Sequence, residues 1–207
     1  LEDRTGFPDL FFFIPSYVML LDEKQLQLGS FGADHEEIFT SIINLSVTES
    51  VIKQQDIVVQ QKIDKETYLR TINAIKDHIK KGDCYELNFC QEFFAEDMMI
   101  DPVTVFSKLC NVSPNPFSAF YKTGNRYLLC ASPERYLKKT GQRLISQPIK
   151  GTSVRLVNDK ELDQAQRDYL LGSQKERSEN VMVVDLVRND LARICMEGTV
   201  KVDELFG

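Results

Sequence analysis

Four short runs of alternating character, Phe117–Lys122, Arg126–Ala131, Arg135–Lys139 and Gln142–Pro148, follow one another with only brief punctuation between them. Thr123-Gly124-Asn125 and Thr140-Gly141 supply the reversals, with glycine providing the positive φ that a tight turn needs. Consecutive hairpins of this kind commit the region to antiparallel pairing. The second hairpin carries the more telling ends. Glu134 precedes its first strand on a Ser-Pro step that disfavours helix. Lys150 closes its second strand and is followed at once by Gly151 and Thr152. A hairpin returns its two ends to one place, so a carboxylate and an amine sixteen residues apart in sequence are expected to approach each other. An acid beside a nucleophile at one rim of a sheet is a candidate catalytic arrangement. The plainer reading is a pair of solvated strand-end charges, and the pair alone names no activity.

The flanking chain reads as mixed α and β. Leu10–Ile14 and Tyr17–Leu21 are strand-like, and Gln25–Gly29 alternates after the turn Asp22-Glu23-Lys24. Asp34, with Glu37 three residues on, resembles a capping box and opens a helix expected over Asp34–Leu45. The segment Val47–Ile63 is polar and mixed, with a possible strand at Asp56–Gln61. Tyr68, Ile72, Ile75 and Ile79 recur at helical spacing, and Gly82 stands where that helix should end. Cys84–Phe94 reads as a strand, and Asp101-Pro102 opens a short helix that Pro114 and Pro116 break. Lys160–Ile194 is helical in spacing, interrupted only by Gly172. On it Glu176 and Glu179 stand at i and i+3, so both carboxylates project from one face. That pair is either a solvated charged face, helped by Lys175 four residues before Glu179, or two oxygen ligands for a hard cation such as Mg²⁺. Hairpins and helices in mixed order, without βαβ alternation, predict an α+β fold with packed, mainly antiparallel sheets flanked by helices.

Several classes are disfavoured. A net charge of −6 argues against a general nucleic-acid or anionic-membrane binder. No run approaches the ~20 apolar residues of a membrane span, and no signal-peptide pattern is present, so a cytoplasmic protein is the expectation. The five cysteines are odd in number and lack C-x-x-C spacing, which suits reduced, mostly core thiols. His35 and His78 sit among charged neighbours and are expected at the surface. Neither nucleotide-binding glycine motif occurs. With 43% hydrophobic residues the chain is expected to bury a substantial core. It starts at a leucine and stops within an apolar run, and so reads as a piece of something longer.

The ordered blocks SPERYL, PIKGT and KERSENVMVVDLVRNDLARIC resemble those of the chorismate-utilising enzymes. GDCYELNFC at Gly82–Cys90 and SPNPFSAFY at Ser113–Tyr121 are similar to that family's upstream blocks, so the resemblance covers most of Lys65–Gly207. It implies a large α+β catalytic domain, of which residues 1–207 form part and whose N- and C-terminal portions are missing. Within the family the residue before Gly-Thr separates branches. Alanine is typical of the anthranilate and the isochorismate or salicylate branches; lysine, as at Lys150, is the pattern of aminodeoxychorismate synthase component I, in the para-aminobenzoate branch of folate synthesis.

What the resemblance implies is amination of chorismate at ring carbon 4. Glu134 matches the family's general acid, which protonates the departing hydroxyl and is expected to need a carboxyl pKa raised by burial. Lys150 matches the nucleophile that attacks ring carbon 2, for which a neutral amine is required. Ammonia, delivered by a glutamine amidotransferase subunit, then enters at carbon 4 and expels the lysine. Mg²⁺ held by Glu179, with Glu176 in or next to its coordination shell, would offset the charge of a dianionic substrate. Gly151 and Thr152 amides are further candidates for binding a substrate carboxylate. Tyr85, Asn88 and Arg188-Asn189-Asp190 match family blocks with structural roles, and Glu92 departs from an arginine often found there. Two other readings stay open: anthranilate synthase component I, against which Lys150 argues, and a non-catalytic module binding a small molecule such as tryptophan. If these residues are the whole chain, the site is expected to be incomplete and inactive.

Overall fold

Hairpins and helices alternate along the computed structural model, which describes residues 3–46 and 56–206. The chain separates into two units, Leu1–Val105 and Phe106–Gly207. In the first, β1 (Tyr17–Leu21) pairs antiparallel with β2 (Leu26–Ser30), from Tyr17 opposite Ser30 to Leu21 opposite Leu26. The Asp22 carboxylate closes their turn by accepting from the amides of Lys24 and Gln25 at 2.8 and 2.9 Å. Helix α1 follows at His35–Ile43. Strand β3 (Gln60–Gln61) pairs with β4 (Phe93–Phe94), enclosing helix α2 (Lys65–Lys81) in sequence. Asp64 caps α2 by accepting from the Thr67 amide, and Gly82 ends it in the left-handed region at φ 82°. Helix α3 (Pro102–Val112) begins at the Asp101-Pro102 signal, with the Asp101 carboxylate accepting from the Thr104 hydroxyl.

Several expectations change here. Leu10–Ile14 forms no strand, and of Cys84–Phe94 only β4 is a strand. The strand expected at Asp56–Gln61 shrinks to β3. The segment ahead of it, residues 47–55, lies outside the described residues. The Asp34 side chain makes no cap hydrogen bond to α1; its carboxylate accepts from the Tyr17 hydroxyl instead. Its other oxygen, Oδ1, is buried with no hydrogen-bond partner, so the cap fails although an acceptor remains.

The second unit carries the four consecutive strands as two separate ribbons. Strand β5 (Phe117–Thr123) pairs with β6 (Arg126–Ser132), and β7 (Arg135–Thr140) with β8 (Arg143–Gln147). Each ribbon turns over two residues with glycine first, the placement a type II′ turn favours. Helices α4 (Lys160–Gly172) and α5 (Gln174–Ala192) follow. The break between them falls at Ser173, whose hydroxyl accepts from the Glu176 amide and starts α5 afresh.

The expected core is absent among the described residues: none is buried. The accessible surface is 18327 Å², whereas a folded 23.8 kDa monomer exposes about 10,000 Å² and two separate half-sized domains about 12,000 Å². Four of the cysteines are accordingly half-buried and Cys90 exposed, all five as free thiols rather than core residues. His35 and His78 are exposed as expected, the latter 2.7 Å from the Asp83 carboxylate. Among the described residues no helix is long and apolar enough to cross a membrane.

Candidate active site

The β7–β8 ribbon does return its ends to one place. The Ile149 amide donates to the Glu134 carboxylate at 3.2 Å, so the acid lies one peptide unit from Lys150. Upstream, Ser132 shapes the approach: its hydroxyl receives the Glu134 amide at 3.2 Å and donates to the Glu134 carbonyl at 3.1 Å. Between Arg135 and Lys138 the register shifts, a bulge that bends the strand just after the acid. Arg135 secures the bend, donating from Nε to Gln147 Oε1 at 2.8 Å, with its guanidinium 4.6 Å from the Phe117 ring centroid. Glu134 is exposed and Lys150 half-buried. The burial expected around the acid is therefore not supplied by the described residues.

Past Lys150 the chain adopts a left-handed turn at Gly151, φ 74°. Its Cα faces the first turn of α5. A Cβ at this position would stand 2.7 Å from Glu176 Oε2 and 3.2 Å from Leu170 Cδ1. The segment bearing the amine thus lies against the helix bearing the paired carboxylates. Thr152 is exposed just beyond.

The S-x-x-E spacing of Ser173 to Glu176 is a capping-box signature that went unread in the sequence. Only half of the box forms. The Ser173 amide donates to the Leu170 carbonyl at 3.3 Å, which leaves the Glu176 carboxylate available for other partners. Its Oε1 lies 3.3 Å from the Lys175 ammonium, and Glu179 Oε1 lies 3.6 Å from the same nitrogen. Hydrogen bonding to Glu176, then the charges of Glu176 and Glu179, hold the Lys175 amine above its ordinary range. Two carboxylates already converging on one cation are a donor set that suits Mg²⁺, which commonly takes one or two carboxylates and fills its shell with water and substrate. Among the described residues no group of three or more His, Cys, Asp or Glu side chains is placed to hold a metal. Any metal here would therefore need oxygens from elsewhere.

Downstream, Asp163 fastens the loop that leaves Thr152. Its carboxylate accepts from Arg155 Nε at 2.9 Å and from the Leu156 amide at 2.8 Å, and these bonds hold it below the usual carboxylate range. Sequence spacing offered no signal for this clamp. Arg188 pairs with Asp185 one helical turn away. Open concavities of about 450 and 460 Å³ lie beside α1 and beside the start of α5; neither is lined by Glu134 or Lys150.

Comparison with known proteins gives this geometry a setting. The chorismate binding enzyme family matches residues 1–207. The chain is 37% identical over 147 residues to aminodeoxychorismate synthase component 1 of Escherichia coli K12, covering 71% of this chain and 32% of that protein. It is 30% identical over 207 residues to an anthranilate synthase component I-like protein of Synechocystis, covering 98% of this chain and 42% of that one. The crystal structure of anthranilate synthase component I from Streptococcus pneumoniae superposes with a TM-score of 0.79 at 24% identity, covering 98% of this chain and 47% of the other. The chain thus spans less than half the length of these relatives. The likeness in fold and the match along the whole sequence agree: the chain belongs to the chorismate binding enzyme family, as a partial form of its α+β fold with helices and antiparallel sheets.

Proposed function

We propose that this chain carries the acid, nucleophile and metal-binding portion of an enzyme that aminates chorismate at ring carbon 4, giving 4-amino-4-deoxychorismate. The observation that carries the reading is the hydrogen bond from the Ile149 amide to Glu134, which brings a carboxyl group beside Lys150. Glu134 protonates the ring hydroxyl as it leaves as water, while the neutral Lys150 amine bonds to ring carbon 2. Ammonia then bonds to carbon 4 and the carbon–lysine bond breaks, returning the amine to Lys150. The net change is chorismate plus ammonia to aminodeoxychorismate plus water. Ammonia comes from a glutamine amidotransferase subunit. Thr152 and Gly151 present backbone amides to a substrate carboxylate. Mg²⁺ bound by Glu179 and Glu176 would supply the positive charge that a dianionic substrate requires beside three glutamates.

Relatives of both branches support a second reading, anthranilate formation. Incubation with chorismate, ammonium and Mg²⁺, followed by product identification, tests the two together. Aminodeoxychorismate is expected; fluorescent anthranilate with released pyruvate would replace the first reading by the second. Because the chain spans less than half of its relatives, turnover is expected only when the rest of the domain is supplied. Comparable turnover by the 207-residue chain alone would refute that requirement.

A further inference from the structure

Gly151 stands between two candidate substrate- and metal-handling segments, and its missing side chain is what lets them meet. The volume a Cβ would take is lined by Glu176 Oε2 at 2.7 Å, Glu176 Cβ at 3.2 Å and Leu170 Cδ1 at 3.2 Å. Those walls come from the last turn of α4 and the first turn of α5, and the Ser173 cap locks the junction between them. Capping leaves the Glu176 carboxylate with one oxygen toward the Lys175 ammonium and the other toward Gly151.

We infer that Gly151 is a positioning residue: its bare Cα forms a slot that holds the Glu176 carboxylate in the orientation that converges with Glu179, and so ties the Lys150 loop to the cation-binding face of α5. A methyl group in the slot collides first with the tip of a flexible side chain. The carboxylate is therefore displaced, on top of the strain a side chain meets at φ 74°, and the two glutamates no longer converge. Positive φ alone does not account for this glycine. Gly141, at φ 59° on the same ribbon, has nothing within 4 Å of where its Cβ would be. It shares the backbone demand without the crowding, and so provides a matched control.

The inference rests on the reading of Glu176 and Glu179 as cation ligands, and the test separates the two. In a protein containing the whole domain, Mn²⁺ binding is followed from the loss of its free-ion paramagnetic resonance signal, with far-ultraviolet circular dichroism to confirm folding. Glu179→Gln is expected to weaken binding. Gly151→Ala is expected to weaken it roughly 10-fold or more, the scale seen when a group that orients a metal ligand is lost. Gly141→Ala is expected to leave it unchanged. Binding that responds to Glu179→Gln but not to Gly151→Ala, or equally to both glycine variants, overturns the slot alone. Absent binding, or binding indifferent to Glu179→Gln, overturns the cation reading and the slot with it. Should Gly151→Ala fail to fold, Leu170→Ala opens the slot from its other wall and carries the same expectation. Unchanged affinity there overturns the inference.

Discussion

The two ribbons of the second unit have nearly the same length and the same kind of turn, yet they are built differently. Strand β5 pairs with β6 in unbroken register from Phe117 opposite Ser132 to Thr123 opposite Arg126. Aromatic rings meet edge to face on it, Phe106 of α3 with Phe120 at 5.5 Å and Phe120 with Tyr127 at 5.9 Å, with the Lys122 ammonium 5.3 Å from the Tyr127 ring. Strand β7 gives up that regularity between Arg135 and Lys138. It leaves Tyr136 92% exposed, and its ends carry Glu134 and Lys150. An even ladder gains cross-strand packing; a bulged one sacrifices some of it to aim groups. On the proposed function, the first ribbon is the support and the second carries the reacting groups.

The two ribbons should differ most at their amines. In a protein containing the whole domain, Lys150→Ala is expected to lower aminodeoxychorismate formation by about 10³-fold or more. Lys122→Ala on the supporting ribbon should stay near the parent rate in the same product assay. Equal losses would erase the distinction. Phe120→Ala should act the other way, costing about 1–2 kcal/mol in urea unfolding of the chain, since it removes two ring contacts at a half-exposed site. A smaller effect comes from Glu134→Ala, which deletes the bond to the Ile149 amide. It should lower Tm by roughly 2–5 °C, and amide exchange at Ile149 should quicken while that along β5 does not.

The smallest effect is a pH dependence just past the second ribbon. Asp163 has its carboxyl pKa lowered by Arg155 and the Leu156 amide, so the unfolded chain takes up a proton at higher pH than the folded one. The stability it contributes is present above the ordinary value of 3.8 and is lost as pH falls through the lowered one. Asp163→Asn should therefore be less stable than the parent at neutral pH, with the gap closing in strong acid. A gap that stays constant down to low pH would remove the clamp from the account.

Helix starts show how far local pattern carries. Asp34 to Glu37 and Ser173 to Glu176 share one spacing. Yet Asp34 turns to Tyr17 and leaves α1 without a side-chain cap, while Ser173 caps α5 and its glutamate faces Gly151. Nothing in either tetrapeptide distinguishes the two, because the deciding partner lies elsewhere in the chain. Cys84–Phe94 makes the same point for strands: its β-forming residues find a pairing edge only at Phe93 and Phe94.

The amino-acid order by itself determined the hairpins, through glycine at their turns, and the long helix ending at Gly82. It also determined the meeting of Glu134 with the Lys150 end of its ribbon and the shared face of Glu176 and Glu179. All of these follow from backbone periodicity and turn chemistry, which act over a few residues. Folding over longer range is what set Gly151 against Glu176 and made Asp163 clamp the loop. The open core belongs with these. Contacts between segments distant in sequence, and the desolvation they bring, depend on which surfaces meet, and no local pattern specifies that.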